Sequence, residues 1–228
     1  MTRIGEIIET MSTGFVAESF ELNHPPALGS LVVVRLPGAG LVSSTRQGGE
    51  GAGIDLYAVV TYGQTAGIDP SRRAVRRSTD EVFDGAIYQH NPELERTLRT
   101  EFGAALVGFG RSGRVHQHLP SQLPPLHFSV QEPTSDEVVR FTERLQYLRL
   151  LATPYLASGP VSSAGQVPPL QVLSANVRWV YEARGGDRVW LDGAAREIAM
   201  LLKSDYEALL TVLYAIEPAE SLGTLEGN

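Results

Sequence analysis

The hexapeptide Leu31-Val32-Val33-Val34-Arg35-Leu36 decides how the first half of this chain folds. Its near-continuous valine is the composition of a strand buried on both faces, not the apolar–polar alternation of a strand with one wet side. Working outward, Ile4 to Glu9 and Phe15 to Phe20 precede it as strand-like runs, and Leu56 to Tyr62, Ala104 to Phe109 and Val115 to Leu119 follow it, all punctuated by Gly and Pro. Short strands with turn residues between them suggest a small barrel or sandwich. No helix in this half is long enough to cover an open sheet, and closure into a barrel removes the exposed edges. The first helix is expected at Pro92 to Arg99, with Asn91 as N-cap and Pro92 in the first helical position.

Two loops interrupt this half. The segment 38–53 holds Gly38, Gly40, Gly48, Gly49, Gly51 and Gly53 and reads as a mobile insertion. The stretch Gly48 to Gly53 imitates a dinucleotide fingerprint, but strand-like Ile54 to Tyr62 follows where a helix is required, so a hairpin loop is the better reading. The second loop, 70–85, carries Arg72, Arg73, Arg76 and Arg77, the densest positive run in the chain. Such a run can contact phosphate or an acidic partner surface. It can equally be a solvated loop neutralised by Asp80, Glu81 and Asp84.

Near residue 131 the texture turns helical. Thr134-Ser135-Asp136-Glu137 fits a capping box, with Thr134 at the N-cap and Glu137 at the third helical position. Val138, Phe141, Leu145 and Leu148 then form one apolar stripe, and Pro154 is expected to end that helix. A linker over 158–169 leads to a second stripe, Leu170, Leu173, Val177 and Val180, stopped by Gly185-Gly186. A third stretch, Trp190 to Ile216, reads as one helical run closed by Pro218 or, with Ser204-x-x-Glu207 as an internal cap, as two helices meeting near Lys203. The fold class expected is α+β: a six-stranded β-barrel-like domain over 1–130, a helical domain over 131–218 and a frayed tail over 219–228. The stripes demand a partner, either a small bundle or the barrel itself.

Composition removes several function classes. The chain has 228 residues, 43% hydrophobic and 20% charged, which excludes a largely disordered protein. With 26 acidic against 19 basic residues, net charge −7 and pI near 5.3, whole-surface binding of nucleic acid is disfavoured. The absence of cysteine excludes disulfides, thiolate metal sites and a cysteine nucleophile. Lys203 is the only lysine against 18 arginines; arginine reads anions in bidentate fashion, but these are scattered, and a coding bias explains them as well. The N-terminus shows no apolar signal core and no stretch is apolar enough to span a membrane, so a cytoplasmic location is expected.

No catalytic set stands out. The chain has no Walker A motif, since Lys203 follows Leu201-Leu202 rather than a glycine loop, and no G-x-S-x-G elbow. His116 and His118 sit two apart in an expected strand, on one face, with His127 downstream; zinc needs a third ligand beside such a pair. Exposed or partly packed histidines are the alternative. Asp136, Glu137, Glu143, Asp187 and Asp192 fall at helix starts and faces, where the helix dipole explains them. Tyr147, Trp179, Tyr181, Trp190 and Tyr206 are expected to pack among the helices. No catalytic residue, cofactor or metal is assigned, and the residues alone read as a non-enzymatic module.

The opening motifs carry a resemblance. Ile4-Gly5-Glu6-Ile7-Ile8, Thr13-Gly14-Phe15-Val16-Ala17 and Pro25-Pro26-Ala27-Leu28-Gly29-Ser30-Leu31-Val32-Val33-Val34 resemble, in order and spacing, the HerA–ATP synthase barrel (HAS-barrel) family. Leu56 to Tyr62 fits its following strand and Glu101 to Phe109 a later one, so the likeness covers roughly residues 1–120. The helical half resembles stand-alone bacterial members that lack the P-loop ATPase domain. The resemblance implies a six-stranded barrel that holds subunits together at the N-terminal end of hexameric ATPases, and implies no motor activity here. It leads to the expectation of an adaptor or assembly module that oligomerises or docks on a protein partner, itself or a ring-shaped P-loop ATPase. The alternative is an accessory factor in DNA processing that touches nucleic acid through Arg72, Arg73, Arg76 and Arg77.

Overall fold

Leu31–Leu36 is a strand of the protein, and both of its faces are buried: Leu31, Val32, Val33, Val34 and Leu36 are each at most 6% exposed. The computed structural model describes residues 2–38, 53–69, 71, 74–158 and 167–218. In chain order the strands are β1 (Arg3–Met11), β2 (Gly14–Ser19), β3 (Leu31–Leu36), β4 (Ile54–Gly67), β5 (Leu98–Arg111), β6 (Arg114–His116) and β7 (Ser129–Gln131). Six of them close a ring in the order β1-β7-β3-β4-β5-β2 and back to β1, every pairing antiparallel, and β6 extends β5 as a hairpin outside the ring. The α+β class, with a six-stranded barrel ahead of a helical half, is therefore the observed architecture.

Two short helices, α1 (Gly85–His90) and α2 (Leu94–Thr97), lie between β4 and β5. They replace the single helix expected at Pro92 to Arg99. Asn91 closes α1 rather than opening a helix: its backbone N–H donates to the Ile87 carbonyl, and so does its side-chain amide. Arg99 already belongs to β5, where it pairs with Ala66. The helical half comprises α3 (Ser135–Thr142), α4 (Leu148–Ser158), α5 (Pro169–Ala183), α6 (Arg188–Leu201) and α7 (Tyr206–Ile216).

The pleat of β3 separates two apolar cores. Val32, Val34 and Leu36 turn inward with Ile7, Phe15, Leu56, Phe102, Leu106 and Val130 to fill the barrel. Leu31 and Val33 turn outward with Tyr57, Val59 and Val107 into a second core that the helical half continues through Phe141, Tyr147, Leu148, Leu173, Val177 and Ile198, with α7 joining it against α5 and α6. Tyr57 stacks on Phe141 with ring centroids 4.5 Å apart. The stripes thus find both partners at once, one another and the barrel.

Polar contacts fasten the two layers. The capping box forms as read, Thr134 Oγ1 accepting from Glu137 N–H and Glu137 accepting from Thr134 N–H. Glu137, 8% exposed, also takes Arg35 at 3.0 Å, and the same guanidinium reaches Asp55 at 3.1 Å and Gln131 at 3.2 Å. One arginine thereby joins β3, β4 and β7 to the start of α3. Gly29 is left-handed (φ 81°), and a Cβ there would collide with the backbone of Ala175 and Asn176 on α5. Its carbonyl accepts from Asn176 Nδ2 at 2.8 Å. Only glycine meets both demands.

The expected first long helix is broken in two. Gln117 Nε2 donates to the carbonyls of Phe141 (2.6 Å) and Arg144 (2.8 Å), while Tyr147 N–H donates to Gln117 Oε1 (3.1 Å). A side-chain amide from beyond β6 satisfies the backbone groups that a continuous helix would have paired internally, so α3 stops at Thr142. Pro154 does not end the helix; it lies inside α4, because proline removes one helical bond without abolishing those around it. The third stretch is two helices meeting near Lys203, but Asp205 is the N-cap of α7, accepting from Ala208 N–H, in place of Ser204. Tyr206, expected in the core, is 69% exposed.

Candidate interaction surfaces

β4 and β5 outrun the barrel. Ile54 to Val59 pair with β3 and Glu101 to Ala105 with β2, whereas Thr65 to Gly67 and Leu98 to Thr100 pair only with each other. The result is a two-stranded ribbon with α1 and α2 at its tip. The β2–β3 loop braces it: Asn23, left-handed at φ 65°, donates its N–H to Thr100 Oγ1 (2.7 Å) and its side-chain amide to the Tyr88 hydroxyl (2.8 Å). A groove of about 680 Å³ opens at this tip, lined chiefly by Ile68, Val75, Ile87, Tyr88, Leu94 and Leu98. Val75 is 71% exposed and Phe83, nearby in sequence, 58%.

The arginine run borders this groove. Arg77 lines it and is engaged by Glu93 (2.9 Å) and the Asn91 side chain (3.3 Å), which answers its charge from outside the run. Arg76 is exposed. Arg72 and Arg73 lie outside the described residues, as does most of the glycine-rich segment. Two of the four arginines can therefore be placed, and of these one is partnered.

His116 and His118 do come together, with ring centroids 5.7 Å apart, but on an aromatic side chain: Phe109 stacks on His116 at 4.8 Å and meets His118 edge-on at 5.2 Å. β6 ends at His116, so His118 lies beyond the strand that was expected to carry both. His127 is elsewhere, bonded to Glu6 at 2.7 Å. Among the described residues no group of three or more His, Asp or Glu side chains is arranged to hold a metal ion.

A second positive locus was missed because its members are far apart in sequence. Arg111 and Arg114 flank the β5–β6 turn as cross-strand partners, and Arg140 and Arg144 stand on and just past the end of α3. Clefts of about 450 and 350 Å³ open beside this hairpin, both lined by Gly113, Arg114, Val115 and Arg140. The signal available in sequence was the hairpin itself: Arg111-Ser112-Gly113-Arg114 places two arginines around a two-residue turn.

Two perturbed groups sit at the joint between the layers. Burial pushes the Tyr147 hydroxyl far above the usual phenol range, and it has no hydrogen-bond partner within the described residues. Burial also raises Glu137, but the Thr134 N–H and the Arg35 guanidinium outweigh it and hold its carboxyl below the ordinary value. Both positions are structural, at the barrel–helix contact.

Comparison with protein-family models and with curated proteins finds no match to this chain. Among the described residues no helix is long and apolar enough to cross a membrane.

Proposed function

We propose that this protein is a non-enzymatic adaptor or assembly module that docks on a protein partner through the ribbon at one end of its barrel. The observation that carries the reading is the groove between Ile68, Val75, Ile87 and Leu94, an apolar surface held out from the barrel on a braced arm. Closure of the barrel leaves only the short edges of the ribbon and of β6 free among the described residues, so contact through side chains at the arm is a more economical route to association than strand addition. The likeness of roughly residues 1–120 to the HAS-barrel family points the same way, since in that family the barrel joins subunits. Self-association is the simplest form of the reading, docking on a ring-shaped ATPase the other.

Light scattering across a concentration series, with Val75→Glu as the arm variant, tests it. A dimer or higher oligomer that dissociates in V75E, or a partner retained from native lysate by the wild type and lost by V75E, supports the reading. A monomer at every concentration that retains the same proteins as V75E overturns it. The accessory role in DNA processing remains the second reading, and a different set of arginines favours it.

A further inference from the structure

A pair of like charges meets across the β5–β6 hairpin. Arg111 and Arg114 are directly opposite on adjacent strands, a placement that destabilises a sheet when both carry the same sign. The turn between them, Ser112-Gly113, has φ of 50° and 75°, the left-handed pair of a tight two-residue hairpin, with serine in a position usually given to Asn, Asp or Gly. Arg140 on α3 and Arg144 just past its end add two more cations beside the hairpin. The C-terminal end of α3 favours a cation and accounts for Arg140; it does not account for the hairpin pair.

All four arginines are exposed, and no carboxylate among the described residues forms an ion pair with any of them. Glu143 lines the larger cleft, and the Asp55 that lines the smaller is already held by Arg35 at 3.1 Å. Glu143 and the surplus carboxylate around Arg35 offset part of this charge, and Arg140 is bonded to the Tyr57 hydroxyl, yet the four arginines leave positive charge in excess around two adjoining clefts of a chain of net charge −7. His116 lines the larger cleft and is backed by Phe109, with His118 exposed beside it, so an aromatic surface adjoins the guanidinium groups.

We propose that the β5–β6 hairpin and the end of α3 form a phosphate-recognition site for a nucleotide or a nucleic-acid strand, with Arg111, Arg114, Arg140 and Arg144 binding phosphate and His116 and His118 meeting a base. Guanidinium groups take phosphate oxygens in bidentate fashion, and bases stack on aromatic side chains without regard to sequence. The proposal stands apart from the adaptor reading, which uses the opposite ends of β4 and β5.

The test is fluorescence anisotropy of the full chain with a short labelled oligothymidylate at several salt concentrations, with inorganic phosphate and thymidine monophosphate as competitors. Two variants report on the site independently, Arg111→Ala/Arg114→Ala and Arg144→Ala, both at exposed positions, and Arg76→Ala/Arg77→Ala on the arm is the control. Each site variant is expected to weaken binding, the double variant by about tenfold or more, and to lower the salt slope by roughly one for each arginine removed. The control is expected to match wild type. Displacement by the monophosphate at concentrations where inorganic phosphate fails assigns a nucleotide unit, and resistance to both assigns an extended strand; either supports the site. No binding by the wild type, equal loss in the arm control, or site-dependent binding of polyglutamate but not of oligothymidylate overturns it.

Discussion

The barrel interior and the layer between barrel and helices are both apolar, yet they are held together differently. Inside the barrel the buried side chains are hydrocarbon from Ile7 to Val130, and backbone pairing around a closed ring supplies the polar satisfaction. The outer layer is pinned at a few polar points: Gly29 to Asn176, Arg35 to Glu137, and Gln117 in the break between α3 and α4. The buried side-chain atoms without a partner among the described residues, Ser30 Oγ, Tyr147 Oη and Asn176 Oδ1, do not belong to the barrel's inner core. A ring enforces its own register; a stack of helices on a sheet face has to be told where to sit.

Breaking the outer layer should leave the inner one standing. Gly29→Ala combines a left-handed backbone with a collision against α5 and is expected to destabilise by about 2–4 kcal/mol. Hydrogen exchange should rise across α5 and its neighbours while β1, β2 and β5 stay protected. Equal loss of protection in the barrel would show that the two layers are one cooperative unit.

The acid limb sharpens the comparison. Glu137 is held below its ordinary value near 4.5, so its contribution is full above that pH and is lost as pH falls through its lower folded value. Melting temperature should therefore drop as the pH falls from about 5 to about 3. Asp187 and Asp205, both capping residues with lowered pKa, add to the same limb. Glu137→Gln should start less stable at neutral pH and show a shallower acid slope. An unchanged slope would mean that the Arg35 contact contributes little in solution. The smallest effect is expected at Tyr147→Phe, which removes a buried hydroxyl that has no partner among the described residues; stability should stay within about 1 kcal/mol of wild type or rise.

Much of this division was readable in sequence. Continuous valine in β3 announced two buried faces, and the Thr134 to Glu137 spacing announced the capping box. Local chemistry fixed those features. What could not be read depended on distant partners. β7 is only three residues long, too short to carry a periodicity of its own, and exists because β1 and β3 flank it. The break after Thr142 depends on Gln117, and no pattern within 134–158 contains it. The exposed ring of Tyr206 follows from a helix capped at Asp205, which turns its first residue to solvent. The arginine run at 72–77 was visible because it is contiguous, whereas Arg111, Arg114, Arg140 and Arg144 become neighbours only in the fold.

Ring closure by β7 also sets a timetable for synthesis. β1 emerges from the ribosome first, but the edge it presents to β3 is filled by Ser129 to Gln131. Until that stretch is made, the nascent barrel is an open sheet with β1 and β3 each exposing one unpaired edge, and the loop that must close spans most of the first half of the chain. Strand edges left waiting in this way invite pairing with another chain. The helices come later still, so the outer face of β3 stays uncovered after its edge has been filled, while the α3 to α7 segment is being made.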